Sequence, residues 1–554
     1  MTLSRAVDGI LINVCIVLSL ILYLRSFGFT DSVVYFTQTV LALLCGVVAT
    51  YLEVQSCSRL ISLTVGWKLR PNVSTGYSSV VLLPFALLTR GFLKPDDYNI
   101  AMSLFTTIIL MSSMIVICSV QVASCNISTK DSRARRKPNQ SNSNILTDFI
   151  LPYPFNLWSP SHLALVFLGL CFLYSCGAGW SYFLVVTFCQ IMYLCLLSVS
   201  LHEFPASFTI GEAMILTQGI TMLVFDTICD ILRKVDLFVC RFDSTVSSEA
   251  AYITKIIFVS LLLMSIVLYM VPRLRTSSLF YTACLIICLI FTLPLLYYGI
   301  QKNVFTWLLN YLFVKEKIYL IAYWAFITLI CIVIVIVKNK HSSSQQKVST
   351  KVRKYFHLAA VLIFIPGLIV DPELLLFASG AALAILVLLE FIRFLRIRPL
   401  GEILNNAFRI FLDEKDQGSL IVTHIYLLVG CTLPLWLYPY SLNIQYGCML
   451  LWFAGILSVG VGDTAASVIG SMCGRHKWPD GHKSMEGTLA AIMAQSLFCF
   501  VISMFGILPE FSHNCIMMLV VIVLTSLLEA FTTQIDNLIL PLYAYNCLQA
   551  LLMA

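Results

Sequence analysis

Residues 458–488 read SVGVGDTAASVIGSMCGRHKWPDGHKSMEGT and concentrate glycine, lysine and acidic groups inside an otherwise apolar chain. Guanidinium and ammonium groups meet phosphate oxygens, so Arg475, Lys477 and Lys483 suit a polyanionic ligand. Glycine permits tight turns and close backbone approach to such a ligand, a use open to Gly460, Gly462, Gly470, Gly474, Gly481 and Gly487. Asp463 and Glu486 can hold a divalent cation or take a substrate proton. The P-loop spacing GxxxxGK[ST] does not occur here. A solvated connector between two spans, its lysines following the cytosolic bias of positive charge, is the plainer reading. So many glycines beside Asp463, Glu486 and paired lysines favour a ligand-binding loop.

Three further groups carry chemistry. His357 lies in KVRKYFH, where a basic linker meets a span, and either catalysis or snorkelling to the interface accounts for it. Asp413, Glu414 and Asp416 precede a span containing His424. An ionisable residue inside a membrane is a functional candidate, although a neutral histidine satisfied by a neighbouring helix also fits. Glu529, Gln534, Asp536 and Asn537 gather where an apolar helix breaks before Pro541. They can bind magnesium, a nucleotide base or an attacking alcohol, or form an ordinary capped turn. Glu390 and Arg393 have the i,i+3 spacing of an intrahelical pair.

The elements that must position these groups are membrane spans. Of the 554 residues, 59% are hydrophobic and 11% charged, and mean hydropathy is +0.91. Soluble domains carry roughly 25% charged residues. The fold class expected is therefore all-α, a polytopic transmembrane bundle of about 15–17 spans, each needing about 20 apolar residues. Candidates fall near 8–26, 33–53, 77–91, 99–122, 161–176, 180–201, 211–232, 252–271, 278–299, 317–337, 356–370, 374–392, 420–438, 446–461, 488–507, 514–531 and 538–552. The net charge of +7 fits cytosolic loops, and without a basic-aromatic patch no nucleic-acid partner is expected. The 20 cysteines show no CxxC metal spacing and read as small apolar fillers. Sequons stand at Asn72, Asn126 and Asn139.

Three regions follow: 1–337, a multi-span region of unclear role; 338–354, a polar basic linker read as cytosolic; and 355–554, a membrane domain carrying loop 458–488. If the linker is cytosolic, the paired spans after it return the 393–409 segment, the glycine-rich loop and the 533–537 segment to the same face.

The pattern Asp463, Ala466, Gly470, Gly474, Lys477, Lys483, Glu486 and Gly487 resembles the CTP-binding loop of dolichol kinases, within the wider polyprenol kinase, phytol kinase and phosphatidate cytidylyltransferase group. KVRKYFHLAA (351–360), LLEFIRFLRIRP (388–399), DEKDQGSLIVTHIYLLVGCTLPLWL (413–437), EAFTTQIDNLILP (529–541) and FTIGEAMILTQG (208–219) extend the likeness. The resemblance implies transfer of the γ-phosphoryl group of CTP to dolichol or a related polyprenol, giving dolichyl phosphate for protein glycosylation. It implies an endoplasmic reticulum membrane location with the site facing the cytosol. Lys477 and Lys483 would neutralise the triphosphate. Asp463, with Glu486 or Asp536, would hold Mg²⁺ or another divalent cation. The base stays open among Asp463, Glu486 and Asp536, with His357 a further catalytic candidate. Residues 1–337 could shape the lipid groove, mediate a homodimer or only anchor the enzyme.

Two other functions remain. A cytidylyltransferase would make a CDP-lipid, although QIDN departs from the Asp-Arg-x-Asp ending associated with that family. A transporter would use Glu203, Glu212, Asp226 and Asp230 in or near apolar segments.

Overall fold

The structure is a computed structural model. It describes residues 2–27, 33–56, 61–62, 65–71, 73–93, 97–134, 180–234, 248–341, 350–408, 418–437, 449–479, 483–508 and 515–552. Among them the named elements are all helices, with no β-strand. Among the described residues, eleven helices are long and apolar enough to cross a membrane, and four shorter apolar helices accompany them. The protein is a multi-pass all-α bundle. The expected span at 161–176 and the sequons Asn72 and Asn139 lie outside the described residues.

Local chemistry sets the helix ends. Ser248 caps helix Glu249–Met270 by accepting a hydrogen bond from the Ala251 amide at 3.2 Å. Asp371 accepts from the Leu374 amide at 2.8 Å, and Pro372 opens helix Pro372–Phe394 at the position where its missing N–H costs nothing. Ser484 caps helix Met485–Met504 through the Gly487 amide at 3.2 Å.

The C-terminal helix Asp536–Leu552 runs through the middle of the bundle, with almost every residue from Leu538 to Leu551 buried. It packs against helices Thr423–Leu437, Thr2–Phe27, Leu82–Leu93 and Cys515–Phe531. In lipid no hydrophobic gain drives helices together, so close fit and polar contacts must do so. Gly430 shows the fit: a Cβ there would stand 2.8 Å from Pro541 Cγ and meet the Asn537 carbonyl. Lipid covers the outside, where Ile290 is 73% and Phe313 72% exposed on the 277–341 helices.

Two sequence expectations change. Helix Lys315–His341 covers the first residues of the segment 338–354 and helix Thr350–Val370 its last, while 342–349 lie outside the described residues. The glycine-rich stretch is not one loop. A π-helix spans Ile456–Asp463 and an α-helix Thr464–Cys473, and helix resumes at Met485. Between these two α-helices, the described residues 474–479 and 483–484 leave the helical path. The apolar residues interleaved with the glycines (Val459, Val461, Val468 and Ile469) give this stretch the hydropathy of a membrane span.

Candidate functional site

Asp463 ends the π-helix and stands at the start of the next helical segment. A π-turn widens the helix by one residue and often marks a functional position. Asp463 is 8% exposed, and its Oδ2 lies 3.5 Å from His357 Nε2 on helix Thr350–Val370. The same His357 nitrogen lies 3.3 Å from Asn537 Oδ1. Asn537 in turn donates through Nδ2 to the Thr423 carbonyl at 3.3 Å. Three helices distant in sequence thus meet at one imidazole.

Beside this group, Lys483 reaches in from the short hairpin between the 464–473 and 485–504 helices. Lys477 and Ser484 bridge the hairpin in antiparallel fashion, and the Trp478 amide donates to the Lys483 carbonyl at 3.1 Å. Lys483 Nζ lies 2.7 Å from Glu529 Oε1 and 3.6 Å from Asp536 Oδ1, and it also donates to the Glu529 carbonyl. Burial works against the ammonium charge, but Asp536, Glu529 and Asp463 outweigh it together and hold the Lys483 pKa above the ordinary lysine value. Asp536 opens the C-terminal helix, where the positive end of the helix dipole favours its carboxylate.

These groups line one cavity of about 1010 Å³. Its polar end holds His357, Asp463, Lys477, Lys483, Glu529, Asp536 and Asn537. Its apolar end runs between helices Lys315–His341, Thr350–Val370, Pro372–Phe394 and Thr423–Leu437, past Trp324, Ile363, Leu375, Ala382 and Leu386. The arrangement is amphipathic, with a charged head and a greasy tail. Such a space fits a lipid whose reactive group is polar.

The structure sorts the sequence candidates. Ala466, Gly470 and Gly487 line the cavity with the groups above, as does His424, whose ring packs edge-on against Phe408 at 5.1 Å. Glu486 does not line it. Its carboxylate turns to the hairpin, accepting from the His476 amide at 3.0 Å and lying 2.7 Å from His476 Nδ1. The reason is local: Glu486 sits in the first turn of its helix, beside Ser484, and reaches back across the hairpin. Gly462, Gly474 and Arg475 are likewise absent from the cavity wall. Gln534 points the other way, into contacts with Ser74 and Thr209. Asp413, Glu414 and Asp416 lie outside the described residues.

Some lining residues gave no sequence signal. Ser467, Ser471 and Thr488 face the cavity as ordinary helix residues. Ser484 could have been found as a helix cap preceding an apolar run. The Glu390–Arg393 pair expected from its spacing forms, with Arg393 Nε 2.7 Å from Glu390 Oε2. It also fixes the entry to the His424 helix: Glu390 accepts from the Ile421 amide at 2.7 Å, and Arg393 donates to the Ser419 carbonyl at 2.8 Å.

Among the described residues no group of three or more His, Cys, Asp or Glu side chains forms a metal cage. Mg²⁺ keeps most of its water and takes one or two carboxylates plus substrate phosphates. Asp463 and Asp536, which line the same cavity, fit an ion carried in by phosphates, whereas Glu486, whose carboxylate accepts from the His476 amide, does not line it.

The fold and the cavity define a class: a polytopic helical membrane protein with facing acids and lysines at the head of an apolar groove. A family model described as dolichol kinase matches residues 183–479. The dolichol kinase of Homo sapiens is 38% identical over 372 residues, which is 65% of this chain and 68% of that protein. The dolichol kinase EVAN of Arabidopsis thaliana is 34% identical over 385 residues, 63% of this chain and 65% of that protein. The dolichol kinase sec59 of Schizosaccharomyces pombe is 30% identical over 372 residues, 62% of this chain and 69% of that protein. No solved structure matches. The chain belongs to the dolichol kinase family.

Proposed function

We propose that this protein phosphorylates dolichol, taking the γ-phosphoryl group from CTP and releasing dolichyl phosphate and CDP. The observation that carries the reading is the joining of the His357, Asp463, Lys483, Asp536 and Asn537 cluster to an apolar groove, in a chain of this family. The isoprenoid tail lies along the groove and places its hydroxyl at the polar end. Lys477 and Lys483 draw the triphosphate in. The alcohol oxygen attacks the γ-phosphorus as the bond to the β–γ bridging oxygen breaks, and CDP leaves with that oxygen. Asp463 takes the hydroxyl proton, and His357, 3.5 Å from it, orients the carboxylate. Phosphoryl transfer depends mainly on position and charge neutralisation. Mg²⁺ held by Asp463 and Asp536 supplies neutralisation of the phosphate oxygens when bound. The reaction provides the lipid carrier for protein glycosylation, at a site on the cytosolic face of the endoplasmic reticulum membrane.

Purified protein, dolichol and Mg²⁺ with γ-labelled or α-labelled CTP test this directly. Label entering lipid from the γ-position alone is the expected result. Label entering from the α-position, in a reaction that also offers phosphatidate, would replace the kinase with a cytidylyltransferase.

A further inference from the structure

The segment that delivers Asp536 and Asn537 to the cavity is held from behind by the N-terminal half of the chain. Glu212, fully buried in the first turn of helix Ile210–Lys234, accepts from the Ile535 amide through Oε1 at 3.1 Å. The same oxygen pairs with Arg70, itself 1% exposed, and Oε2 accepts from the Thr209 amide at 3.2 Å. Thr209 Oγ1 donates to Gln534 Oε1 at 2.6 Å, and Gln534 Nε2 donates to Ser74 Oγ at 2.7 Å. Ser74 and Thr533 hydroxyls lie 2.8 Å apart.

The 74–77 segment is itself fixed. Glu53 accepts from Thr75 Oγ1 at 3.0 Å, from the Gly76 amide at 3.1 Å and from the Tyr77 amide. Gly76 has φ +77°, and a Cβ there would stand 2.7 Å from Gln534 Oε1. The turn thus needs glycine both for its backbone angle and for Gln534 to approach. A buried ion pair is poor evidence of stability, because its desolvation offsets its attraction. Here the charge pair also fixes the backbone one residue before Asp536.

We infer that Arg70 and Glu212 are positioning residues for phosphotransfer: by holding the Ile535 amide they set where Asp536 and Asn537 stand. This rests on the kinase reading above. It assigns the N-terminal half a part in the site that lipid anchoring alone does not require. Arg70 and the 532–537 segment both lie outside the residues matched by the family model.

Two double variants of the full-length protein in lipid nanodiscs isolate the contact. Arg70→Met/Glu212→Gln and Arg70→Met/Glu212→Leu both remove the ion pair, but only the first leaves an acceptor for the Ile535 amide. The Leu variant is expected to show kcat about tenfold or more below the Gln variant, the scale of a buried donor left without a partner. KM for both substrates should match between the two, and the kcat difference should persist at temperatures well below both thermal midpoints. Hydrogen exchange across 532–540 should be faster in the Leu variant. If that variant does not fold, Thr209→Val, which loses the hydroxyl contact to Gln534, should lower kcat without raising KM. Equal kcat in the two doubles, or a loss that merely follows the thermal midpoint, overturns the positioning role. Should the unaltered protein transfer no phosphate, the kinase reading falls. Equal exchange rates would then overturn the clamp on their own.

Discussion

Nζ of Lys483 lies 2.7 Å from Oε1 of Glu529, a carboxylate 8% exposed near the end of helix Cys515–Phe531. Neither residue suits its location alone. A carboxylate buried at a membrane helix end needs a positive partner, and a lysine pointing into a bundle needs an acid. Together with Asp536 they leave a cationic group at the cavity head that other carboxylates already hold in place.

Lys483→Met should therefore harm both activity and folding. Losing the ammonium removes charge neutralisation from the phosphates and strands Glu529 without its partner. We expect at least about a hundredfold loss in kcat/KM, of the order seen when a preorganised charge contact to a reacting group is deleted. A lower thermal midpoint should accompany it. The double variant Lys483→Met/Glu529→Gln should recover the midpoint but not the activity. Steady-state kinetics beside thermal unfolding in detergent separate the two effects.

The raised pKa of Lys483 fixes a sign for pH dependence. A lysine whose folded value exceeds its unfolded value contributes stability fully below about pH 10.4 and loses it as pH rises through the folded value. Between about pH 6 and pH 9 its charge is constant in both states, so the midpoint difference between unaltered and Lys483→Met protein should not change with pH there. The comparison is made with Lys483→Met/Glu529→Gln as well, because a stranded Glu529 carboxylate titrates on its own account; a difference that narrows within that window in the double variant too would place the folded lysine pKa low.

Composition and spacing made the helical bundle legible, since a span announces itself by length and hydropathy. They also singled out Asp463, Lys483, Asp536, Asn537 and His357, which the fold brings to one cavity. The glycine-rich stretch misled because glycine in water reads as a turn. Inside a bundle it lets helices approach, so residues up to Cys473 stay helical. Glu486 misled for a different reason. Its spacing from Lys483 carries no information about which way a first-turn side chain faces. Arg70 and Glu53 went unseen because their partners lie up to 142 residues away in the chain.

Asp463 and Glu486, equal candidates in sequence, should separate sharply in assay. Asp463→Asn keeps the shape of the side chain beside His357 but cannot take a proton, and loss of a positioned base costs roughly 10²–10⁴ in rate. Glu486→Gln disturbs the carboxylate's contacts with His476 and the neighbouring backbone, away from the cavity, and its kcat should fall less than about tenfold, within the range of one lost charged hydrogen bond. Comparable losses in the two variants would move the reacting atoms toward the hairpin.

The apolar end of the cavity makes a prediction about chain length. Ala382 lines the groove on helix Pro372–Phe394 with its side chain exposed to it. Ala382→Trp would place a large ring across the path of a long isoprenoid while leaving the polar head untouched. A short prenol needs only the head of the cavity. The variant should therefore raise KM for dolichol by about tenfold or more, as overfilling a packed site typically costs 1–3 kcal/mol. Its kinetics with a water-dispersible prenol of two isoprene units should stay close to those of the unaltered protein. Measuring the two acceptors side by side, at fixed CTP, reads the tail path independently of the chemistry. Equal effects on both acceptors would mean that the tail leaves the site by another route.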